Sequence, residues 1–136
     1  MKSREKILLV SCVVCVLIAA TFLYIGCREQ STRTEYIKIT PQEAQYMIAG
    51  SDDVIILDVR TQEEFEQGHI PDAVLLPVSE IVQRADTIIA DKNAIILVYC
   101  RSGGRSETAA RGLIAMGYTR VYDFGGIMDW HGDIVS

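Results

Sequence analysis

Two short runs, "VIILDV" at 54–59 and "AIILVY" at 94–99, constrain this chain more than any other feature. A strand with one wet face alternates apolar and polar residues, whereas these runs are apolar at nearly every position. Strands of that kind are covered on both faces, as in the middle of a parallel sheet. Parallel neighbours need a crossover between them, and the stretches before and after these runs carry helix signals. Thr40-Pro41-Gln42-Glu43 and Thr61-Gln62-Glu63-Glu64 each place a glutamate three residues after an N-cap threonine. The first adds proline at the opening helical position. Gly50, Gly68 and Gly117 stand where helix-like segments stop. Strand-like pieces at 36–39, 73–77 and 120–124 and helical pieces around 79–89 and 106–116 complete an alternating order. The pattern predicts a single α/β domain with a central parallel β-sheet and helices on both faces.

The first 27 residues do not belong to that pattern. "MKSREK" is basic, and no charged residue occurs from Ile7 to Ile25. Nineteen such residues as one apolar helix reach about 28 Å, close to the hydrocarbon thickness of a bilayer. The run ends in "LYIGC", where Gly26-Cys27 resembles a bacterial lipoprotein processing site, with Cys27 the residue to be lipidated. Residues 1–27 therefore read either as a lipoprotein-type signal or as an uncleaved span. Both tether the remainder to a membrane, with the globular part on the extracytoplasmic side. The polar stretch 28–35 reads as a linker, and 36–136 as the domain.

Of 13 Lys and Arg residues three lie in the first 27, and of 18 Asp and Glu residues one does, leaving ten basic against seventeen acidic. So acidic a domain is a poor partner for nucleic acid. Cys12 and Cys15 have redox-motif spacing but lie inside the apolar run, so they read as small membrane residues. Cys100 is then the one thiol of the domain, without a disulfide partner or a thiolate cluster for a metal.

Cys100 falls at the end of the second apolar strand, before "RSGGRS" and a helix. Sites in open parallel sheets form beyond the carboxyl ends of strands, where Asp58-Val59-Arg60 also lies. Gly103 and Gly104 let the backbone curl, so amides of Ser102 to Ser106 can converge on one point with the helix dipole behind them. Arg101 and Arg105 add positive charge. The arrangement is an anion cradle with a sulfur at its base, which favours the thiolate.

Three blocks resemble the rhodanese family of sulfurtransferases: "LDVRTQEEFEQGHIPDAVLLP" (57–77), "VYCRSGGRS" (98–106) and "GGIMDW" (125–130). Asp72 stands where that family often has glycine, at a turn aspartate tolerates. The resemblance implies that Cys100 takes sulfur from a small anionic donor such as thiosulfate, forms a persulfide and passes the sulfur to cyanide or a thiol. It implies that the loop amides bind the thiolate or persulfide, that Arg105 helps hold the donor, and that Asp58 and Arg101 form a buried salt bridge beneath the loop. No metal or organic cofactor is implied, and a monomeric domain is expected. Two other readings remain: a persulfide carrier or non-catalytic binding or sensing module, and a cysteine phosphatase or arsenate reductase. The related phosphatase loops hold five residues between cysteine and arginine, whereas four separate Cys100 from Arg105.

Other polar and aromatic residues read as structural. His69 supports the fold after a helix end, His131 lies on the surface, and Trp130 is a core or lid aromatic. Gly125 and Gly126 form a tight turn near the cysteine loop. Met47, Met116 and Met128 read as core filling, and Glu63, Glu64 and Glu66 form a solvated helix face.

Overall fold

The computed structural model describes residues 35–136. The N-terminal apolar helix, the Cys27 lipidation site and nearly all of the linker lie outside the described residues. Within them the order is β1 (Ile37–Lys38), α1 (Pro41–Gly50), β2 (Val54–Asp58), α2 (Gln62–Glu66), β3 (Val74–Leu75), α3 (Ile81–Ile88), β4 (Ile95–Cys100), α4 (Gly104–Ala115) and β5 (Arg120–Gly126). Single 3-10 turns lead into α3 and follow β5. The five strands form one sheet in the order β1-β5-β4-β2-β3, every pair parallel. The two apolar runs are its central strands, β2 and β4, in register from Val54↔Ile95 to Asp58↔Tyr99.

Both capping boxes form as their spacing predicts. At α1 the Thr40 hydroxyl accepts from Glu43 N at 3.2 Å, while Glu43 Oε2 accepts from Thr40 N at 2.7 Å. At α2 the reciprocal pair joins Thr61 and Glu64 at 3.3 and 3.1 Å. Helix α4 begins at Gly104, two residues before the expected start at 106. Gly103 is its N-cap at φ 107°, a left-handed conformation open to glycine, and this turn draws Arg105 into the first helical turn.

Alternation along the strands divides the core. On one face Leu57, Ile96, Val98, Cys100 and Val121 pack with Ile81 and Ala85 of α3 and Ala109, Ala110 and Leu113 of α4. On the other, Ile56, Leu97, Tyr99 and Phe124 pack with Ala44 of α1 and the edge of Trp130. Trp130 thus fills the core, its ring 5.6 Å from Phe124 and its Nε1 donating to Asp133 O. His69 is structural as well. It stacks on Phe65, hydrogen-bonds to Phe65 O through Nδ1 and pairs by its backbone with Val135, tying the carboxyl tail to the domain. Asp72 holds φ 62°, a left-handed conformation that aspartate tolerates in a turn.

The ladder between β4 and β5 breaks at the site end, where Cys100 comes opposite Gly126 after an irregularity following Val98. There β5 lies directly on the cysteine loop. A Cβ on Gly126 would stand 2.7 Å from Ser102 Cα and closer still to the Arg101 carbonyl oxygen. Both obstacles are backbone, so neither can swing away. Gly126→Ala should lower stability by about 1–3 kcal/mol through overpacking, read as a drop in Tm of the full chain. It should also slow alkylation of Cys100, because the loop itself must shift; unchanged Tm and reactivity would contradict this packing.

Candidate active site

Strand β4 delivers Cys100 to the base of the loop and α4 takes the chain away. Cys100 is fully buried, as is Ser106, while Arg101, Ser102 and Gly104 are exposed. The Gly103 amide donates to Cys100 Sγ at 3.0 Å. Burial alone would push this thiol up. The amides of Ser106, Gly103 and Ser102 and the Ser106 hydroxyl outweigh it and hold the thiol below its ordinary value. The Ser106 hydroxyl oxygen lies 2.9 Å from Gly103 O and 3.2 Å from Gly125 O, two alternative acceptors for its one proton that place it between loop, helix and β5. The cradle expected from the loop's composition is therefore present, with backbone amides as its largest lowering influence.

The arginines are arranged differently from expectation. Asp58 pairs with Arg60, not Arg101. Asp58 Oδ1 accepts the Arg60 backbone N–H and Nε at 3.0 Å each, and Oδ2 accepts Nε at 3.0 Å and Nη2 at 2.6 Å. Both residues are buried, and Arg60 Nη2 also donates to Gly68 O at 2.7 Å. The guanidinium carbon lies 5.6 Å from the Tyr99 ring centroid. Arg101, the first loop residue, is exposed and makes no ion pair among the described residues. The physical reason is reach: Asp58 and Arg60 are two residues apart at a strand end and point to one side, while the chain at Arg101 has left the sheet.

Glu64 corrects a second expectation, through Arg105. The Arg105 guanidinium grips Glu64 with two bonds, Nη1 to Oε2 at 2.5 Å and Nη2 to Oε1 at 2.8 Å. The Arg105 bond holds the Glu64 carboxyl down to about 2. Glu64 is thus no solvated helix residue: the same carboxylate caps α2 and clips α2 to α4 across the site. Its capping role was readable from its spacing, but its contact with a residue 41 positions away was not.

Beside the loop lies a depression of about 310 Å³, lined by Arg60, Glu64 and Arg101 and by Ile127, Met128 and Ile134. Met128, which reads from the sequence as core filling, instead stands 67% exposed on this wall, and neither isoleucine carries a functional signal in the sequence. The Met128 amide donates to Arg101 O at 3.3 Å, joining that wall to the loop.

A parallel α/β domain with a lone cysteine in an amide cradle at a strand-to-helix junction defines a thiolate-nucleophile class. The chain belongs to the rhodanese-like domain family, whose profile matches residues 40–133. It is 41% identical over 94 residues to a sulfurtransferase of Allochromatium vinosum, covering 68% of this chain and 86% of that one. To the thiosulfate sulfurtransferase PspE of Escherichia coli it is 40% identical over 73 residues, 54% of this chain and 70% of that one. A solved rhodanese with anions from E. coli superposes with TM-score 0.58 at 36% identity, covering 61% of this chain and 98% of that chain. A rhodanese-like domain protein from Staphylococcus aureus gives TM-score 0.61 at 37% identity, covering 71% and 92%.

Two outcomes are expected. Asp58→Ala leaves Arg60 buried and unpaired, a change that typically costs about 3–5 kcal/mol. It should appear as a large fall in Tm, whereas Arg101→Ala should leave Tm nearly unchanged; the reverse order would restore the Asp58–Arg101 pairing. Alkylation of Cys100 by iodoacetamide should rise with pH through a midpoint below the ordinary thiol value of about 8.5. Unfolding the chain removes the amides and should return the midpoint to that value.

Proposed function

We propose that this protein is a sulfurtransferase that carries sulfane sulfur as a persulfide on Cys100, from an anionic donor such as thiosulfate to cyanide or a thiol. The observation that carries the reading is the Cys100 sulfur held by the loop amides with its thiol depressed. The sulfurtransferases to which the chain is similar support the same chemistry.

In the first half-reaction the Cys100 thiolate attacks the outer sulfur of thiosulfate. A sulfur–sulfur bond forms to Cys100, the bond to the sulfonate sulfur breaks, and its electron pair leaves with sulfite. The product persulfide is also an anion, its charge now on the outer sulfur about 2 Å beyond Sγ, so the loop amides that face the thiolate still face negative charge. In the second half-reaction cyanide attacks the terminal sulfur and departs as thiocyanate, which returns the thiolate. Neither step needs a metal or an organic cofactor.

A phosphatase reading is weaker on two counts. Four residues separate Cys100 from Arg105, which is tight for a tetrahedral oxyanion, and Arg105 is already engaged by Glu64. The apolar run from Ile7 to Ile25 supports membrane tethering, with the domain outside the cytoplasm.

The test is mass spectrometry of the full chain after thiosulfate. Cys100 should gain one sulfur atom and lose it on adding cyanide, while Cys100→Ser should gain none and fold normally. A wild-type protein that gains no sulfur, or equal thiocyanate production by Cys100→Ser, would rule out the mechanism.

A further inference from the structure

Asp123 is fully buried on β5, and the sulfur-transfer steps make no use of it. In register it lies opposite Val98 of β4 and Lys38 of β1, and it shares with Val121 the face that α4 covers. Its Oδ1 accepts the Gly125 N–H at 3.0 Å, while Oδ2 is buried without a hydrogen-bond partner among the described residues. Lys38 does not pair with it and lies 3.7 Å from Glu107 instead. A buried carboxyl group with an unengaged oxygen costs free energy that an apolar strand residue would not. Packing gives no reason for aspartate here, so the reason lies in the bond to Gly125.

That bond ends at the floor of the cysteine loop. Gly125 holds φ 87°, and an aspartate oxygen on the amide two residues ahead fixes such a turn. Gly125 in turn touches both halves of the cradle. Its Cα lies 3.7 Å from where a Gly103 Cβ would stand, and its carbonyl oxygen lies 3.2 Å from the Ser106 hydroxyl oxygen. Next to it, Gly126 presses on the backbone of Arg101 and Ser102. Burial raises the Cys100 thiol, and the amides of Ser106, Gly103 and Ser102 lower it by more. The segment that Asp123 secures therefore backs each residue whose amide faces the sulfur.

We propose that Asp123 is a positioning residue for Cys100, holding the Gly125–Gly126 segment against Gly103 and Ser106 so that their amides stay aimed at the sulfur. It makes no hydrogen bond to the sulfur and acts through Gly125. Its effect is felt in any reaction of Cys100, and only the consequence for transfer rests on the sulfurtransferase reading.

The experiment separates the acceptor oxygen from the charge. Asp123→Asn keeps an oxygen for the Gly125 N–H, Asp123→Val keeps none, and both lack the carboxyl. The charges around the site are the same in both: Arg101, the Asp58–Arg60 and Glu64–Arg105 pairs, and Lys38 with Glu107 beside position 123. A difference between the two variants thus reads the hydrogen bond. The pH midpoint for alkylation of Cys100 by iodoacetamide, measured on the full-length chain, should be about half a pH unit or more higher in Asp123→Val than in Asp123→Asn. Alkylation at pH 7 should then be about threefold or more slower, and kcat/KM for thiosulfate should fall by a similar factor. Asp123→Asn should stay at or below the wild-type midpoint, since it keeps the bond and adds no negative charge. The Tm of Asp123→Val should not fall below that of Asp123→Asn, because valine suits a buried strand. Asp123→Ala, which also lacks an acceptor, repeats the comparison if valine prevents folding. Coincident midpoints in the variants with and without an acceptor would overturn the proposal, whether or not the wild type transfers sulfur. Separated midpoints in a protein that transfers no sulfur would support it while overturning the sulfurtransferase reading.

Discussion

The 3.0 Å contact from the Gly103 amide to the Cys100 sulfur depends on a backbone that only glycine adopts readily, at φ 107°. That one turn does three things. It starts α4 two residues early, aims the first amides of the helix at the sulfur, and leaves room for β5 to pass beneath the loop at Gly126. The fully buried sulfur is consequently surrounded by donors that cannot move away when its charge changes. Electrostatic preorganisation of this kind requires no reorganisation at the moment of reaction.

Charge around the site is distributed by pairing. Asp58 and Arg60 close a buried bidentate pair at the end of β2, with a further bond to Gly68 O that fixes the exit of α2. Glu64 and Arg105 close a second pair that bridges α2 to α4. The Asp58–Arg60 pair is buried, so losing either partner is costly even though its net stabilisation is small, whereas the partly exposed Glu64–Arg105 pair acts mainly by fixing geometry. Arg101, at the rim beside apolar surface, makes no ion pair among the described residues. The site thus combines a strongly anion-stabilising interior with a mouth of modest charge, and these two properties are set by different residues.

Much of this was legible in the sequence, because it is local. Apolar runs at 54–59 and 94–99 determined the central parallel strands, since a strand without a polar face must be covered twice. The threonine–glutamate spacings determined where α1 and α2 begin, because a capping box closes within four residues. The Cys100 loop, with its glycines before a helix, determined the amide cradle for the same reason. The partner of Asp58 was not legible in the resemblance, which points to Arg101, whereas a spacing of two at a strand end puts Arg60 on the same side. Only tertiary structure decided the rest. Glu64 meets Arg105 across 41 residues, Gly126 meets the loop because β5 crosses beside β4, and Ile127, Met128 and Ile134 line the mouth because the chain folds back there. Hydrogen-bonding spacing is written in neighbouring residues, whereas which charge neutralises which depends on distances that exist only after the sheet has assembled.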